Sequence, residues 1–244
     1  MPEGPSILIL KEQLGFARGK KILEVSGNAK IDLQKLKGKK IFEIKTWGKQ
    51  LLFCFNSFFI RIHLLMFGSF RINEAREGMK PRLSIKVKTG AINFYNCSVR
   101  LIEQNPDNVY DWDADVLSES WNAKAALKKI KNRKDTFACD VLLDQEVFSG
   151  VGNIIKNEVL FRIKVHPLSL IGAMPLKKQK ELVKEAKKYS WEFYNWKKQV
   201  VLKKHWLIYK KIECPRCKIR TTSTYLGKTN RLTSFCVNCQ VVYK

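Results

Sequence analysis

The chain has 244 residues, 45% of them hydrophobic, which is enough for one large domain or two smaller ones with separate cores. Its 46 Lys+Arg against 22 Asp+Glu leave a formal charge of +24, a self-repelling balance that points to a polyanionic partner, with an anionic membrane surface as the alternative. No apolar run approaches the ~18 residues of a bilayer span, and the N-terminus lacks a basic stretch leading into a cleavable apolar segment, so no spanning helix and no signal peptide is expected.

In chain order, residues 5–15 suggest a helix, and the rest of residues 1–105 suggest short strands. Ile41–Trp47 alternates and runs into Gly48-Lys49, and Leu51–Phe55 is a continuous apolar run of the buried-strand kind. Phe58–His63, Phe70–Asn73, Leu83–Val87 and Ala91–Tyr95 follow, separated by Gly, Asn and Pro, a rhythm that predicts a β-sandwich or barrel. Between 105 and 120, Asn105-Pro-Asp and the acids Asp111, Asp113 and Asp115 are expected to form a loop and linker. Beyond it the period becomes helical: one helix through Trp121, Ala125, Leu127 and Ile130, and another around Val141–Gln145. A glycine-punctuated turn at Phe148–Asn153 leads to a helix over Ile154–Phe161, and a long helix covers 175–198, with Leu182, Val183, Ala186, Tyr189 and Phe193 on one face and lysines on the other.

Four of the seven cysteines form Cys214-x2-Cys217 and Cys236-x2-Cys239, with 18 residues between the inner pair. That spacing fits a four-cysteine zinc ribbon, in which two tight knuckles supply four thiolates to one tetrahedral ion. Four thiolates leave no open coordination position, so the expected zinc is structural, and it would stabilise a tail too short for a core of its own. Cys54, Cys97 and Cys139 sit singly among apolar neighbours, which argues for a reducing, intracellular setting over a disulfide framework. The histidines at 63, 166 and 205 have no ligand spacing.

The turn Gly150-Val-Gly152-Asn153 opens a helix whose free N–H groups suit a phosphate, and Asn153 has an amide to add, although a glycine turn between helices most often serves packing. The chain start poses a chemical question. With Met1 removed, Pro2 would be a terminal secondary amine with a pKa near ~7.7–8, far below the ~10.4 of a lysine. Its adduct with an aldehyde carbon is an iminium, an electron sink, and Glu3 would stand beside it as a general acid or base. Taken alone, a Pro-Glu pair carries no signal.

The motifs acquire meaning together. Met1-Pro-Glu-Gly-Pro resembles the start of the formamidopyrimidine-DNA glycosylase and endonuclease VIII family. So do Gly48-Lys49-Gln-Leu-Leu-Phe, His63-Leu-Leu-Met-Phe-Gly, Leu142-Leu-Asp-Gln and Gly150-Val-Gly-Asn. Val159-Leu-Phe-Arg-Ile-Lys-Val-His-Pro and Asn230-Arg231 ahead of Cys236-Val-Asn-Cys239-Gln complete the set, in family order and across essentially the whole chain.

The resemblance implies an α+β protein: an N-terminal β-sandwich catalytic domain (1–110), a helical domain with a helix-two-turn-helix (111–209), and a four-cysteine zinc finger (210–244) holding one structural zinc ion. It implies a monomeric, cytoplasmic DNA glycosylase with lyase activity that flips a damaged nucleotide out of DNA. Pro2 would be the nucleophile, Glu3 the acid that helps open the sugar, and Lys49 a phosphate holder that assists elimination. Asn153 and Arg231 would bind the phosphates flanking the flipped nucleotide. Leu65, Met66 and Phe67 would lie in the loop that fills the hole left in the duplex, with one or two of the three expected in the core.

Three departures from the family pattern stand out. Ser6 replaces a second carboxylate near the site. Ile155 stands where the oxidised-purine branch tends to carry tyrosine, and residues 197–213 contain no glycine-rich insertion of the kind with which that branch caps a purine. The last two favour the endonuclease VIII-like branch and oxidised pyrimidines. Ser6 alone favours the rival reading, a non-catalytic protein that holds nucleic acid with its zinc ribbon and helix-turn-helix.

Overall fold

The computed structural model describes residues 2–244, so the removal of Met1 concerns a residue outside the described ones. The chain divides into two units, the first ending at Tyr110 and the second running from Asp111 to Lys244.

The first unit begins with helix α1 (Gly4–Gln13), entered through Pro5, whose fixed φ suits a first turn, and held to the core by Ile7 and Leu10. Six strands follow: β1 (Ile22–Ser26), β2 (Glu43–Trp47), β3 (Gln50–Cys54), β4 (Phe59–Ile72), β5 (Leu83–Val87) and β6 (Gly90–Ile102). They form one antiparallel sheet in the order β1-β5-β6-β4-β3-β2. The two expected strands at 58–63 and 70–73 are a single strand of 14 residues, because β6 pairs with both halves. β1 carries no periodic signal; only its first residue is buried.

Long strands let this sheet fold over on itself. Phe53 pairs with Ile60, and Phe94 pairs with Phe70. Ile60 and Phe70 would be ~33 Å apart on a straight strand. Yet the rings of Phe53 and Phe94 meet edge to face with centroids 6.2 Å apart. β4 therefore bends, its two halves lie in facing layers, and the core between them includes Ile22, Leu51, Phe53, Ile85 and Phe94. The bend coincides with an irregularity in pairing between Leu64 and Ser69.

The acidic stretch is ordered rather than a plain linker. Asn105 caps the short helix α2 (Pro106–Val109) by accepting from the Asp107 N–H at 3.0 Å, and Asp111 and Asp115 accept from backbone N–H groups two residues on.

The second unit is helical with a terminal hairpin. Helix α3 (Ala123–Lys131) starts where Asn122 accepts from two backbone N–H groups at 3.0 Å, and it buries Ala126 and Ile130. Helix α4 (Ala138–Val141) is a single buried turn. Helix α5 (Asn153–Arg162) and the long α6 (Leu176–Lys198) are joined by Arg162, which bonds Glu185 at 2.9 Å and Glu192 at 2.5 Å. Strands β7 (Thr222–Leu226) and β8 (Arg231–Phe235) make a two-stranded antiparallel ribbon. Among the described residues no helix is long and apolar enough to cross a membrane.

Candidate functional site

In the first unit, Glu3 sits immediately before α1 with extended backbone. Its carbonyl accepts from the Ser6 N–H at 2.8 Å, but its side chain does not cap the helix. The carboxyl group is nevertheless buried, with the residue only 1% exposed. Taking a carboxyl group out of water is costly unless it is paired, and such groups collect at functional sites. Pro2 beside it is half-buried, and Ser6 sits in the first turn of the helix.

Lys49 lies on the two-residue hairpin loop between β2 and β3, closed by the Trp47–Gln50 pair. Gly48 adopts φ +53°, the left-handed value such a tight loop demands and that glycine reaches without strain. The Lys49 carbonyl lies 3.0 Å from the His63 Nδ1 on β4, which ties the loop to the sheet.

Leu65, Met66 and Phe67 stand at the bend of β4. None of them is in the core: they are 42%, 53% and 79% exposed. Leu64 pairs with Cys97 and Ser69 with Tyr95, so four residues of β4 face the single Asn96 of β6. Those four must bulge outward, which throws the three apolar side chains off the sheet. Gly68 makes the bulge close: a Cβ there would fall 2.7 Å from the Leu65 nitrogen and 2.8 Å from the Asn96 oxygen.

In the second unit, the glycine turn before α5 is held by Gln145, the last residue of Leu142-Leu-Asp-Gln. Its amide nitrogen donates to the carbonyls of Leu143 (2.8 Å) and Val151 (3.2 Å), and its oxygen accepts from the Gly150 N–H at 3.1 Å. α5 starts at Asn153, whose amide donates to the carbonyl of Leu232 at 2.8 Å. Part of that amide is thus committed to β8, and the bond sets Asn153 beside the residue that follows Arg231.

Arg231 opens β8, paired with Leu226 across the tip of the hairpin. The tip itself, 227–230, is clamped by Asp140 of α4. The Asp140 carboxylate accepts from the Lys228 N–H at 2.9 Å, the Thr229 N–H at 3.2 Å and the Thr229 hydroxyl at 3.3 Å. Nothing in the sequence marks Asp140, because its partners lie 88 and 89 residues away.

Three consecutive polar residues of α5 are wholly or almost wholly buried, and all three reach into the C-terminal segment. Lys156 Nζ donates to the Thr233 hydroxyl at 2.7 Å, and Asn157 accepts from the Ser234 N–H at 2.7 Å. Glu158 accepts from the backbone N–H groups of Leu207, Ile208 and Tyr209 at 2.8–3.0 Å. Burial pushes the Glu158 carboxyl above the usual carboxylate range, while the three N–H donors and nearby Arg162 pull it down. Sequence patterning cannot find this stripe, since three adjacent polar residues look like a solvated face.

The four ribbon cysteines come together, with all four sulfurs within 4.8 Å of one another. Individual separations include 3.8 Å for Cys214–Cys239, 3.5 Å for Cys217–Cys236 and 3.4 Å for Cys217–Cys239. Thiolates bound at ~2.3 Å around a tetrahedral zinc lie ~3.8 Å apart, so the cluster fits that ion. The Ile219 N–H holds the Cys217 thiol down to about 6, while burial and the neighbouring thiols push Cys236 and Cys239 up. Four sulfurs this close need a cation before all can ionise. Gln240 braces the second knuckle by accepting from the Cys236 N–H and donating to the Val165 carbonyl, both at 2.8 Å. Arg216 joins the first knuckle to the end of α5, donating to the Phe161 carbonyl at 2.8 Å. The other three cysteines lie buried elsewhere, their thiols pushed up to about 11–12 by burial. Each histidine has a local partner: His63 at Lys49, His166 edge-on to Phe235, and His205 stacked on Trp196 at 4.1 Å.

Residues 1–100 match the family model of the formamidopyrimidine-DNA glycosylase N-terminal domain, and residues 113–189 match that of the formamidopyrimidine-DNA glycosylase H2TH domain. The chain is 36% identical to endonuclease 8-like 3 of Mus musculus over 205 residues, which is 81% of this chain and 34% of that protein. It is 33% identical to endonuclease 8-like 2 of Bos taurus over 195 residues, 74% of this chain and 58% of the relative. The chain thus spans about a third of the length of the endonuclease 8-like 3 relatives it matches. Its fold is that of a viral DNA glycosylase crystal structure, with a TM-score of 0.86 at 23% identity over 98% of this chain and 100% of the other. The formamidopyrimidine-DNA glycosylase of Lactococcus lactis, non-covalently bound to DNA containing an AP site, gives a TM-score of 0.84 at 22% identity over 98% and 99%.

Proposed function

Because the chain belongs to the formamidopyrimidine-DNA glycosylase and endonuclease VIII family, on its endonuclease VIII-like side, we propose that it excises oxidised bases from DNA, pyrimidines above purines, and then cuts the strand as an AP lyase. The observation that carries this reading is Glu3, a buried carboxyl group directly beside Pro2 at the start of the chain's first helix.

With Met1 removed, Pro2 presents a secondary amine that is substantially neutral at physiological pH. Its lone pair attacks C1′ of a flipped nucleotide as the C1′–N bond to the base breaks. Glu3 supplies the proton that opens the sugar ring at O4′. The resulting C1′ iminium draws electrons, so a C2′ proton is lost and the 3′ phosphate leaves. A second elimination expels the 5′ phosphate, and water then releases the sugar remnant and restores Pro2. Lys49 holds a phosphate during elimination. Asn153, through its remaining amide hydrogen, and Arg231 hold the flanking phosphates, and Leu65, Met66 and Phe67 occupy the gap in the duplex.

Within the second unit, residues 111–209 form the helix-two-turn-helix part and residues 210–244 a zinc finger. Cys214, Cys217, Cys236 and Cys239 hold one zinc ion, whose part is to stabilise the ribbon that carries Arg231. The pyrimidine preference is supported by Ile155, which stands where the oxidised-purine branch tends to carry tyrosine, and by residues 197–213, which contain no glycine-rich insertion. The protein works as a monomer on damaged DNA inside the cell.

Borohydride reduction on DNA carrying an abasic site tests the chemistry. A trapped adduct that peptide mapping places on Pro2 supports it. An adduct on Lys49 reassigns the nucleophile, and no adduct with DNA binding intact leaves a nucleic-acid-binding protein without catalysis.

A further inference from the structure

Helices α3 and α6 border a groove of about 640 Å³ that no part of the proposed chemistry uses. Its walls and floor are apolar: Trp121, Leu127, Val183 and Trp191. Its rim is basic, with Lys124 from α3 and Lys180, Lys184, Lys187 and Lys188 from α6. On α6 these lysines recur at three- and four-residue intervals, which puts them along one side of the helix over ~12 Å. Among the described residues no carboxylate lies within 4.0 Å of Lys124, Lys180, Lys184 or Lys187; only Lys188 has a partner, Glu192, at 3.8 Å. The acids of α6 are engaged instead with Lys178 (Glu181, 2.6 Å) and Arg162 (Glu185 and Glu192).

We propose that this groove docks an acidic amphipathic helix of a partner protein. An apolar trough with a one-signed rim is the complement of a helix that carries Leu or Phe at positions i, i+3, i+4 and i+7 and Asp or Glu around them. The apolar floor supplies the affinity. The lysine rim fixes orientation and speeds encounter. A second copy of this chain is a poor occupant, because it brings its own +24 charge. Trp121 lies against Phe148 with ring centroids 6.0 Å apart, and Trp191, 37% exposed, is nearly perpendicular to Tyr194 at 5.5 Å. A single nucleic-acid strand, which stacks its bases on aromatic faces, is the competing occupant that the test separates. None of the residues assigned to DNA lines the groove.

The test uses the full chain and a fluorescein-labelled synthetic helix of 18 residues with Leu in the i, i+3, i+4, i+7 pattern and Glu elsewhere. A scrambled peptide of the same composition keeps the charge and destroys the apolar stripe. Anisotropy at physiological salt is expected to show the patterned peptide binding at least ~10-fold more tightly than the scrambled one. The variant Lys180→Glu/Lys184→Glu/Lys187→Glu is expected to weaken the patterned peptide by at least ~10-fold while keeping the wild-type melting temperature. Trp191→Ala, which removes a wall without changing charge, is expected to weaken it as well. Equal binding of the two peptides reduces the effect to net charge and overturns the proposal. Unchanged binding by both variants places the peptide elsewhere and also overturns it. If a single-stranded oligonucleotide displaces the peptide and itself loses affinity in the triple variant, the groove is a nucleic-acid surface instead.

Discussion

A side chain at Gly227 would have to displace Asp140: a Cβ there would fall 2.5 Å from one carboxylate oxygen and 2.8 Å from the other. The glycine also has φ +74°, which disfavours any other residue. The contact brings hairpin backbone close enough for Asp140 to accept three hydrogen bonds from residues 228 and 229, two positions before Arg231. Asp140 therefore holds the hairpin tip that leads into Arg231.

Asp140→Asn should leave the fold intact but loosen the tip, because the amide presents one acceptor oxygen in place of two. The expected result is weaker binding to lesion DNA, with a shallower salt dependence. Gly227→Ala should destabilise by ~1–3 kcal/mol through the clash and the left-handed backbone. In Asp140→Ala/Gly227→Ala the clash is gone, so the two losses should add to more than the double variant shows. Strict additivity in urea unfolding would remove the steric part of this account.

Arg231→Ala and Cys236→Ser should produce the same defect. The first deletes a guanidinium suited to phosphate, and the second takes one of four ligands from the zinc site proposed to order the hairpin. Both should bind lesion DNA weakly, and the slope of log affinity against log salt should fall by about one unit for Arg231→Ala. Chelation of the wild-type protein should reproduce the cysteine variant. A Cys236→Ser protein that has lost its zinc but binds as tightly as wild type would separate the ribbon from the binding surface.

Glu3→Gln should divide the two activities. Base excision needs a proton at the sugar, so turnover of intact lesions should fall roughly 10²–10⁴-fold. Cutting at a preformed abasic site begins from an aldehyde and should survive better. Single-turnover rates on the two substrates decide the matter, and equal losses would remove the role given to Glu3.

Phe67→Ala should cost almost nothing in stability, because the side chain is 79% exposed. It should instead slow excision from duplex DNA, where a wedge offsets unstacking, and spare single-stranded substrate. Gly68→Ala should do the reverse and lower the melting temperature, since its Cβ would meet backbone atoms on both strands. A Phe67→Ala protein with unchanged activity on duplex would mean that the bulge serves only to turn the sheet.

Local signals were readable where neighbours in sequence decide them. The apolar spacing of α6 gave its buried face, Leu182 through Phe193, and the cysteine spacing gave a cluster that closes to metal-binding distances. The break between 63 and 70 was visible too, but its meaning was not. Whether it separates two strands or bends one depends on β6, some 30 residues on, and the same pairing decides that 65–67 face outward and not into the core. Asp140 and the 156–158 stripe were invisible for a related reason. Each is a polar side chain whose local sequence names no partner, and each is satisfied by atoms 49–89 residues away.

That stripe also sets the limits of modularity. A zinc ribbon of some thirty residues looks like a cassette that could be exchanged between relatives. Here its second strand receives Lys156 and Asn157, and the segment leading into it receives Glu158. A foreign ribbon would leave a lysine, an amide and a carboxyl group sealed in the interior without matching partners, a mismatch of several kcal/mol. The unit of exchange therefore takes in Asp140 of α4, α5 and Val165 together with everything from 207 onward, and a chimaera that respects these ties should fold where one joined at the first cysteine should not.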